Sequence, residues 1–230
     1  MPPARRPLAE TPADPPGTFA YPDILVARSA EQPKGARTRA QIQAAACAVL
    51  DRKGPSDLTV AAICAEAGIS NGTFYIYFAD RTLLLEELLI GFGGFVLDML
   101  RSASAARTEA PMRAANSAYY ELFRHNRGLM RCLVHHLDGY PEAQAAFHRL
   151  NRDWIETVVA AAMRRLQRAG WGGEIGHDEL MRRAYALGGM VDQYLASLLL
   201  SGDPALVAVS QDREAVLDTL TLIWERGMEI

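Results

Sequence analysis

Residues 59–78 read TVAAICAEAGISNGTFYIYF, and this stretch decides the fold. Thr59 is a good N-cap, because its hydroxyl can accept from a free amide at a helix start, and Ala62, Ile63 and Ala67 follow on one face. Gly68 stands where that helix must stop, since the residue past a helix end often takes a left-handed backbone that glycine adopts freely. Ser70 then caps a second short helix with Phe74 and Phe78 turned inward. The spacing predicts helix, tight turn, helix. Ile63, Ala67, Ile69, Phe74 and Phe78 form the apolar face that fixes the angle between the two helices. Ser70, Asn71, Gly72, Thr73, Tyr75 and Tyr77 are small or polar and lie outward, where hydroxyls and amides can reach phosphates and base edges.

Working outward, the flanks agree with this unit. Upstream, Ile42, Ala45, Ala46, Val49 and Leu50 recur at spacings of three and four, and Gly54-Pro55 ends that helix. Downstream, Asp80 caps a leucine-rich helix from Leu83 onward. With these flanks in place, the run from Arg37 to Leu88 resembles the DNA-binding domain of the TetR family of bacterial transcriptional regulators, through TVAAICAEAG, ISNGTFYIYF and ADRTLLLEEL in one register. The resemblance implies that Thr59, Thr73, Tyr75 and Arg81 touch the phosphate backbone, and that Asn71, Gly72 and Tyr77 face base edges. It also implies a homodimer on a pseudo-palindromic operator, with a C-terminal domain that senses a small molecule. Two departures stand out. Ile76 replaces a frequent aromatic or polar residue and bears on which bases are read, and Arg81 stands where Lys is usual.

Composition is ordinary for a soluble globular protein. Half of the 230 residues are apolar and 22% are charged, enough to bury a real core. The net charge of −3 hides a local excess: six Lys/Arg against four Asp/Glu between Lys34 and Arg81. Cys47, Cys64 and Cys132 form no CxxC pair and read as buried thiols of a reducing cytoplasm. No apolar run reaches the roughly 18 residues of a membrane span, and the N-terminus lacks the apolar segment of a secretory signal. The expected location is cytoplasmic, with no membrane partner. Residues 1–33 hold eight of the twelve prolines and read as a flexible N-terminal arm. The division predicted is therefore 1–33 arm, 34–81 helix-turn-helix DNA-binding domain, and 82–230 ligand-binding and dimerisation domain.

No strand pattern appears, and breaks at Pro111, Asn126–Gly128, Gly139–Pro141, Gly170–Gly176 and Gly202–Pro204 divide the remainder into helices. The fold expected is all-α with about nine helices. The last two long helices carry apolar stripes, and Tyr194, Leu198, Leu220 and Trp224 are the residues expected at a dimer seam. Gly188-Gly189 in mid-helix costs about 1 kcal/mol per glycine against alanine, which suggests a close helix approach, space for a ligand or a kink. Phe95, Met99, Tyr119, Phe123, Leu133, Trp154 and Tyr185 are the expected walls of an apolar effector pocket, with His136 as a polar group in it. The adjacent His135 and His136 point to different sides of a helix, so no metal and no cofactor is expected. A Ser/His/Asp order, a paired carboxylate cleft and a phosphate loop are all missing, which sets aside the alternative of an all-helical enzyme. An activator of the same fold stays open beside a repressor.

Overall fold

The computed structural model describes residues 18–107, 109–168 and 175–228. Among them are eleven α-helices and no strand. The helices are α1 (Tyr21–Ser29), α2 (Lys34–Lys53), α3 (Val60–Ala67), α4 (Asn71–Tyr77) and α5 (Arg81–Ala106), followed by α6 (Pro111–His125), α7 (Arg127–His135) and α8 (Pro141–Arg168). The chain closes with α9 (His177–Leu195), α10 (Pro204–Val209) and α11 (Arg213–Met228); α9 runs on into a π-helical stretch at Ala196–Ser201.

The caps read from sequence form. Thr59 Oγ1 accepts from the Ala62 amide at 3.1 Å, Ser70 Oγ from Thr73 at 3.1 Å, and Asp80 Oδ1 from Leu83 at 2.8 Å. Gly68 takes φ 65° and ψ 35°, and the chain folds back so that the Ile69 amide donates to the Cys64 carbonyl at 3.0 Å. Ile63, Phe74 and Phe78 are fully buried, together with Leu84, Leu85, Leu88 and Leu89 from the start of α5. α5 is thus a single 26-residue beam, with its first half in the helix-turn-helix core and its second half in the C-terminal helices.

Two expectations need correction. Residues 18–33 are not a flexible arm: Tyr21, Ile24 and Leu25 fall at i, i+3 and i+4 and dock α1 on the core, with Tyr21 only 5% exposed. Pro22 does not oppose this helix, because it occupies the first turn, where no amide donor is required. Residues 1–17 lie outside the described residues, as does the predicted break at Gly170–Gly176 apart from its last two residues. The second correction is α10, placed where a plain loop was expected. Asp203 caps it, accepting from Ala205 and Leu206 at 2.9 and 3.1 Å, and Pro204 opens its first turn. With α1 and α10 the nine expected helices become eleven.

The arm is fixed by Asn126 at the α6–α7 junction. Its amide oxygen accepts from the Tyr21 backbone at 2.8 Å, and its Nδ2 donates to the Phe19 carbonyl at 2.7 Å. The Tyr21 ring lies against Phe92 and Phe95 of α5. Burial pushes the Tyr21 hydroxyl up to about 12, so the ring stays neutral in its slot.

Candidate functional site

At the N-terminal end, α4 presents one face to solvent. Asn71, Gly72, Tyr75 and Ile76 are exposed, Ile76 at 77%, while Phe74 behind them is fully buried. Thr59 and Ser70 hold the N-termini of α3 and α4 at this surface, and the Ser70 and Thr73 hydroxyls lie 3.0 Å apart. A groove-sized helix with amides, hydroxyls and one apolar side chain outward suits a duplex: phosphates from the caps, base edges and thymine methyls from the middle. Tyr77 is half-buried, and its ring reaches toward Gly35 in the first turn of α2. Arg81 reaches back to donate to the Leu58 carbonyl at 2.7 Å, tying the start of α5 to the loop before α3.

The recognition helix is also held by a residue that the sequence did not single out. Arg39 of α2 donates to the Tyr77 carbonyl at 2.6 Å, pairs with Glu87 of α5, and lies over the Phe78 ring at 4.1 Å. One guanidinium therefore joins α2, the end of α4 and α5. No local spacing could signal it, because its partners lie 38 and 48 positions away.

The C-terminal helices enclose a cavity of about 300 Å³. α5 supplies Gly93, Val96, Leu97 and Leu100; α6 supplies Met112, Asn116 and Tyr119; α8 supplies Phe147, Leu150, Asn151 and Trp154. α9 adds Tyr185, Gly188, Gly189 and Asp192, and α11 adds Trp224. A Cβ added at Gly188 or Gly189 would meet nothing within 4 Å, so these glycines keep space open along the cavity wall. This volume lies at the lower end of small-molecule sites, and most of its wall is aromatic or aliphatic. Its polar groups are few. The Tyr119 hydroxyl donates to Asp192 Oδ1 at 2.6 Å, and Asn116 Nδ2 donates to Thr221 Oγ1 at 3.3 Å.

The two sites share an element. The wall that α5 and α6 give to the cavity continues, through α5 itself and through the α6–α7 junction, to the helices that carry α3 and α4. The family of bacterial regulatory proteins, tetR type, matches residues 42–88, from the middle of α2 into α5. Over 200 residues the chain is 25% identical to the HTH-type transcriptional regulator EthR of Mycolicibacterium smegmatis, covering 86% of this chain and 88% of that one. Residues 42–88 are a DNA-binding domain of the TetR type. Its fold is also that of the fatty acid degradation regulator FadR from Bacillus halodurans, with TM-score 0.60 and 16% identity, over 80% of this chain and 96% of that one. A second likeness is FadR from Bacillus subtilis, solved in complex with stearoyl-CoA: TM-score 0.59, 18% identity, over 79% and 96% of the two chains. With that domain at one end and a likeness to a transcriptional regulator over most of its length, the chain is a DNA-binding transcriptional regulator. No helix among the described residues is long and apolar enough to cross a membrane.

The predicted pocket residues divide sharply. Tyr119, Trp154 and Tyr185 line the cavity. Phe95 does not, because it faces the other side of α5 and packs on Tyr21 and Phe92. Met99 packs against the core outside the wall, and Leu133 is buried in it. Phe123 backs the wall one layer out, edge-on to Tyr119. His136 is exposed at the C-terminal end of α7, far from a pocket role. The seam residues need the same revision. Leu198, Leu220 and Trp224 are buried within the single chain at 7%, 1% and 4% exposure, and Tyr194 is half-buried with its hydroxyl 3.0 Å from Ser210. The apolar side chains that α11 leaves outside are Leu222 and Ile223, at 54% and 38%. The polar cavity residues Asn116, Asn151 and Asp192 were missed, since a buried polar side chain on a helix leaves no periodic mark.

Proposed function

We propose that this chain is a homodimeric repressor that binds a pseudo-palindromic operator and leaves it when a lipophilic small molecule fills the cavity between α5, α6, α8 and α9. The observation that carries this reading is the 26-residue α5, which lines the cavity at Gly93–Leu100 and packs the helix-turn-helix core at Leu84–Leu89. A ligand that prefers one packing of the cavity walls shifts α5 and, with it, the spacing of the two recognition helices. The working division is 34–81 for DNA binding and 82–230 for ligand and dimer, and the site of action is the cytoplasm. On the DNA side, Thr59, Ser70, Thr73, Tyr75 and Arg81 are assigned to phosphates, and Asn71, Gly72 and Tyr77 to base edges. Ile76 joins the second group through its exposed methyls.

The test is mobility shift on DNA upstream of the chain's own gene and its neighbours, repeated across salt. Affinity should fall as salt rises, with a log–log slope of about −0.9 for each phosphate neutralised. Tyr75→Phe should weaken all sequences alike, whereas Asn71→Ala should relax preference at one position per half-site at about 1–3 kcal/mol. An unchanged set of selected sequences for Asn71→Ala would remove that residue from base readout.

The dimer is assigned to the outer faces of α9 and α11. These helices already pack on each other, with Leu187 against Gly227, and they expose Tyr185, Leu222 and Ile223. Replacing Leu222 and Ile223 together with Glu should halve the mass seen by light scattering, to the 25.2 kDa of one chain, while the helical signal in circular dichroism persists. Because one recognition helix then binds alone, operator affinity should drop by about a hundredfold or more. A dimer that survives both substitutions would place the seam elsewhere.

A further inference from the structure

The cavity holds one carboxylate in an otherwise apolar, aromatic wall. Asp192 lines it from the last turn of α9, before the helix passes into its π-helical stretch at Ala196. The Tyr119 hydroxyl donates to Oδ1 at 2.6 Å. Among the described residues no buried side-chain oxygen lacks a partner, so Oδ2, for which they supply none, is accessible on a residue that lines the cavity. No Lys or Arg is among the described residues that line the cavity. A carboxylate without a cation in such surroundings is costly, and burial accordingly raises the Asp192 pKa against the lowering effect of the Tyr119 bond. Tyr119 is itself held protonated by burial and by the neighbouring Asp192, which keeps it a donor. What relieves the carboxylate is a positive donor delivered from outside. The same cavity is lined by the rings of Trp154, Phe147, Tyr185 and Trp224, and aromatic faces attract cations.

We propose that Asp192, oriented by Tyr119, is the anchor for a protonated amine, and that the effector is an amphipathic organic cation with its apolar body against the aromatic wall. The inference rests on the reading of this cavity as the effector site. An ammonium group placed on Oδ2 forms a charge-assisted hydrogen bond in a low-dielectric pocket, where such bonds are strongest. A fatty carboxylate meets the opposite situation: its head group would face Asp192 with no cation to separate the two charges. The pocket therefore discriminates by head group rather than by chain.

Three probes of one shape test this on the full chain: 4-phenylbutylamine, 4-phenylbutanol and 4-phenylbutanoate, titrated by calorimetry. The amine should bind about tenfold or more tighter than the alcohol, with the carboxylate weakest. D192N keeps the side-chain volume and an oxygen for the Tyr119 bond, and should erase the difference between amine and alcohol. The ranking on the unmodified protein stands on its own if D192N fails to fold. An alcohol that equals or exceeds the amine overturns the anchor while leaving an apolar effector cavity intact. A preference for amine that survives in folded D192N overturns it as well. If none of the three binds, both the anchor and the effector reading of the cavity fall.

Discussion

Leu220→Glu is expected to unfold the C-terminal helices rather than split a dimer. Leu220 is 1% exposed, and the same face of α11 carries Val216, Leu217, Trp224 and Met228, all buried. α11 is held to α6 by polar pairs along its edge. Arg213 Nε donates to Glu121 at 2.9 Å, Arg113 pairs with Glu214 and Asp218, and Asn116 bonds Thr221. These pairs leave no basic group committed to a new carboxylate on the apolar face. A buried, unpaired charge costs several kcal/mol, so a loss of about 4 kcal/mol is expected, with the melting midpoint lower by roughly 10 °C or more. Leu222→Glu, two residues further on and 54% exposed, should change monomer stability by less than about 0.5 kcal/mol. Thermal denaturation of the two variants side by side separates core from surface. A Leu220→Glu protein that melts like the parent and elutes as a monomer would return this residue to the seam.

That contrast shows how far the sequence is legible. α11 carries apolar residues around much of its circumference, and hydrophobic spacing alone cannot say which side faces the chain and which faces a partner. Leu220 and Ile223 are one turn apart, yet one is sealed and the other open. The helix-turn-helix unit was readable because all of its signals are local. Thr59, Gly68, Ser70 and Asp80 each act on amides or dihedrals within a few residues, and each takes its predicted place. α1 and α10 were also written locally, in Tyr21-Ile24-Leu25 and in Asp203-Pro204, but the prolines and glycine beside them read as breaks. The cavity chemistry was not written locally. Tyr119 and Asp192 are 73 positions apart, and only the crossing of α6 with α9 brings them together. Phe95 failed as a pocket residue for a related reason: nothing in the spacing of α5 reveals that α1 returns to cover that side.

Besides α5, a chain of contacts leads from the cavity wall to the helix-turn-helix unit through α6, α7 and α2. α6 lines the cavity with Met112, Asn116 and Tyr119, and it ends at Asn126, which clasps the arm before Tyr21. The next helix begins immediately, and its first turn lies on α2, the helix that Arg39 joins to the end of α4. A shift of α6 has little slack to absorb before it reaches α2.

Gly128 is the contact point, and Gly128→Ala is expected to have the second large effect. In sequence this glycine reads as a helix breaker after Asn126, but it lies within the first turn of α7. A Cβ built there would stand 2.5 Å from the Leu50 carbonyl carbon, 2.6 Å from the Leu50 Cβ and 2.7 Å from the Asp51 amide nitrogen. None of these atoms can swing aside, since all belong to the α2 backbone or adjoin it. Even one methyl group must therefore separate the two helices. The same separation weakens the bond from the Gly128 amide to the Asp51 carboxylate, a group whose pKa burial raises and this bond lowers. Overpacking of a rigid contact together with a strained buried hydrogen bond gives an expected loss of about 2–4 kcal/mol. The functional effect should be at least as clear: α2 moves with the cost, and operator affinity falls by about tenfold or more even when the variant is folded at the assay temperature. Gly68→Ala supplies the comparison. It strains a left-handed turn at φ 65° but meets nothing within 4 Å, so its cost of about 1–2 kcal/mol stays inside the helix-turn-helix unit. Hydrogen exchange then distinguishes the two, with protection lost across α2 and α7 together in Gly128→Ala and around α3 and α4 in Gly68→Ala. A Gly128→Ala protein with unchanged melting, exchange and operator affinity would mean that the α2–α7 contact yields freely, and that the cavity must reach the DNA through α5 alone.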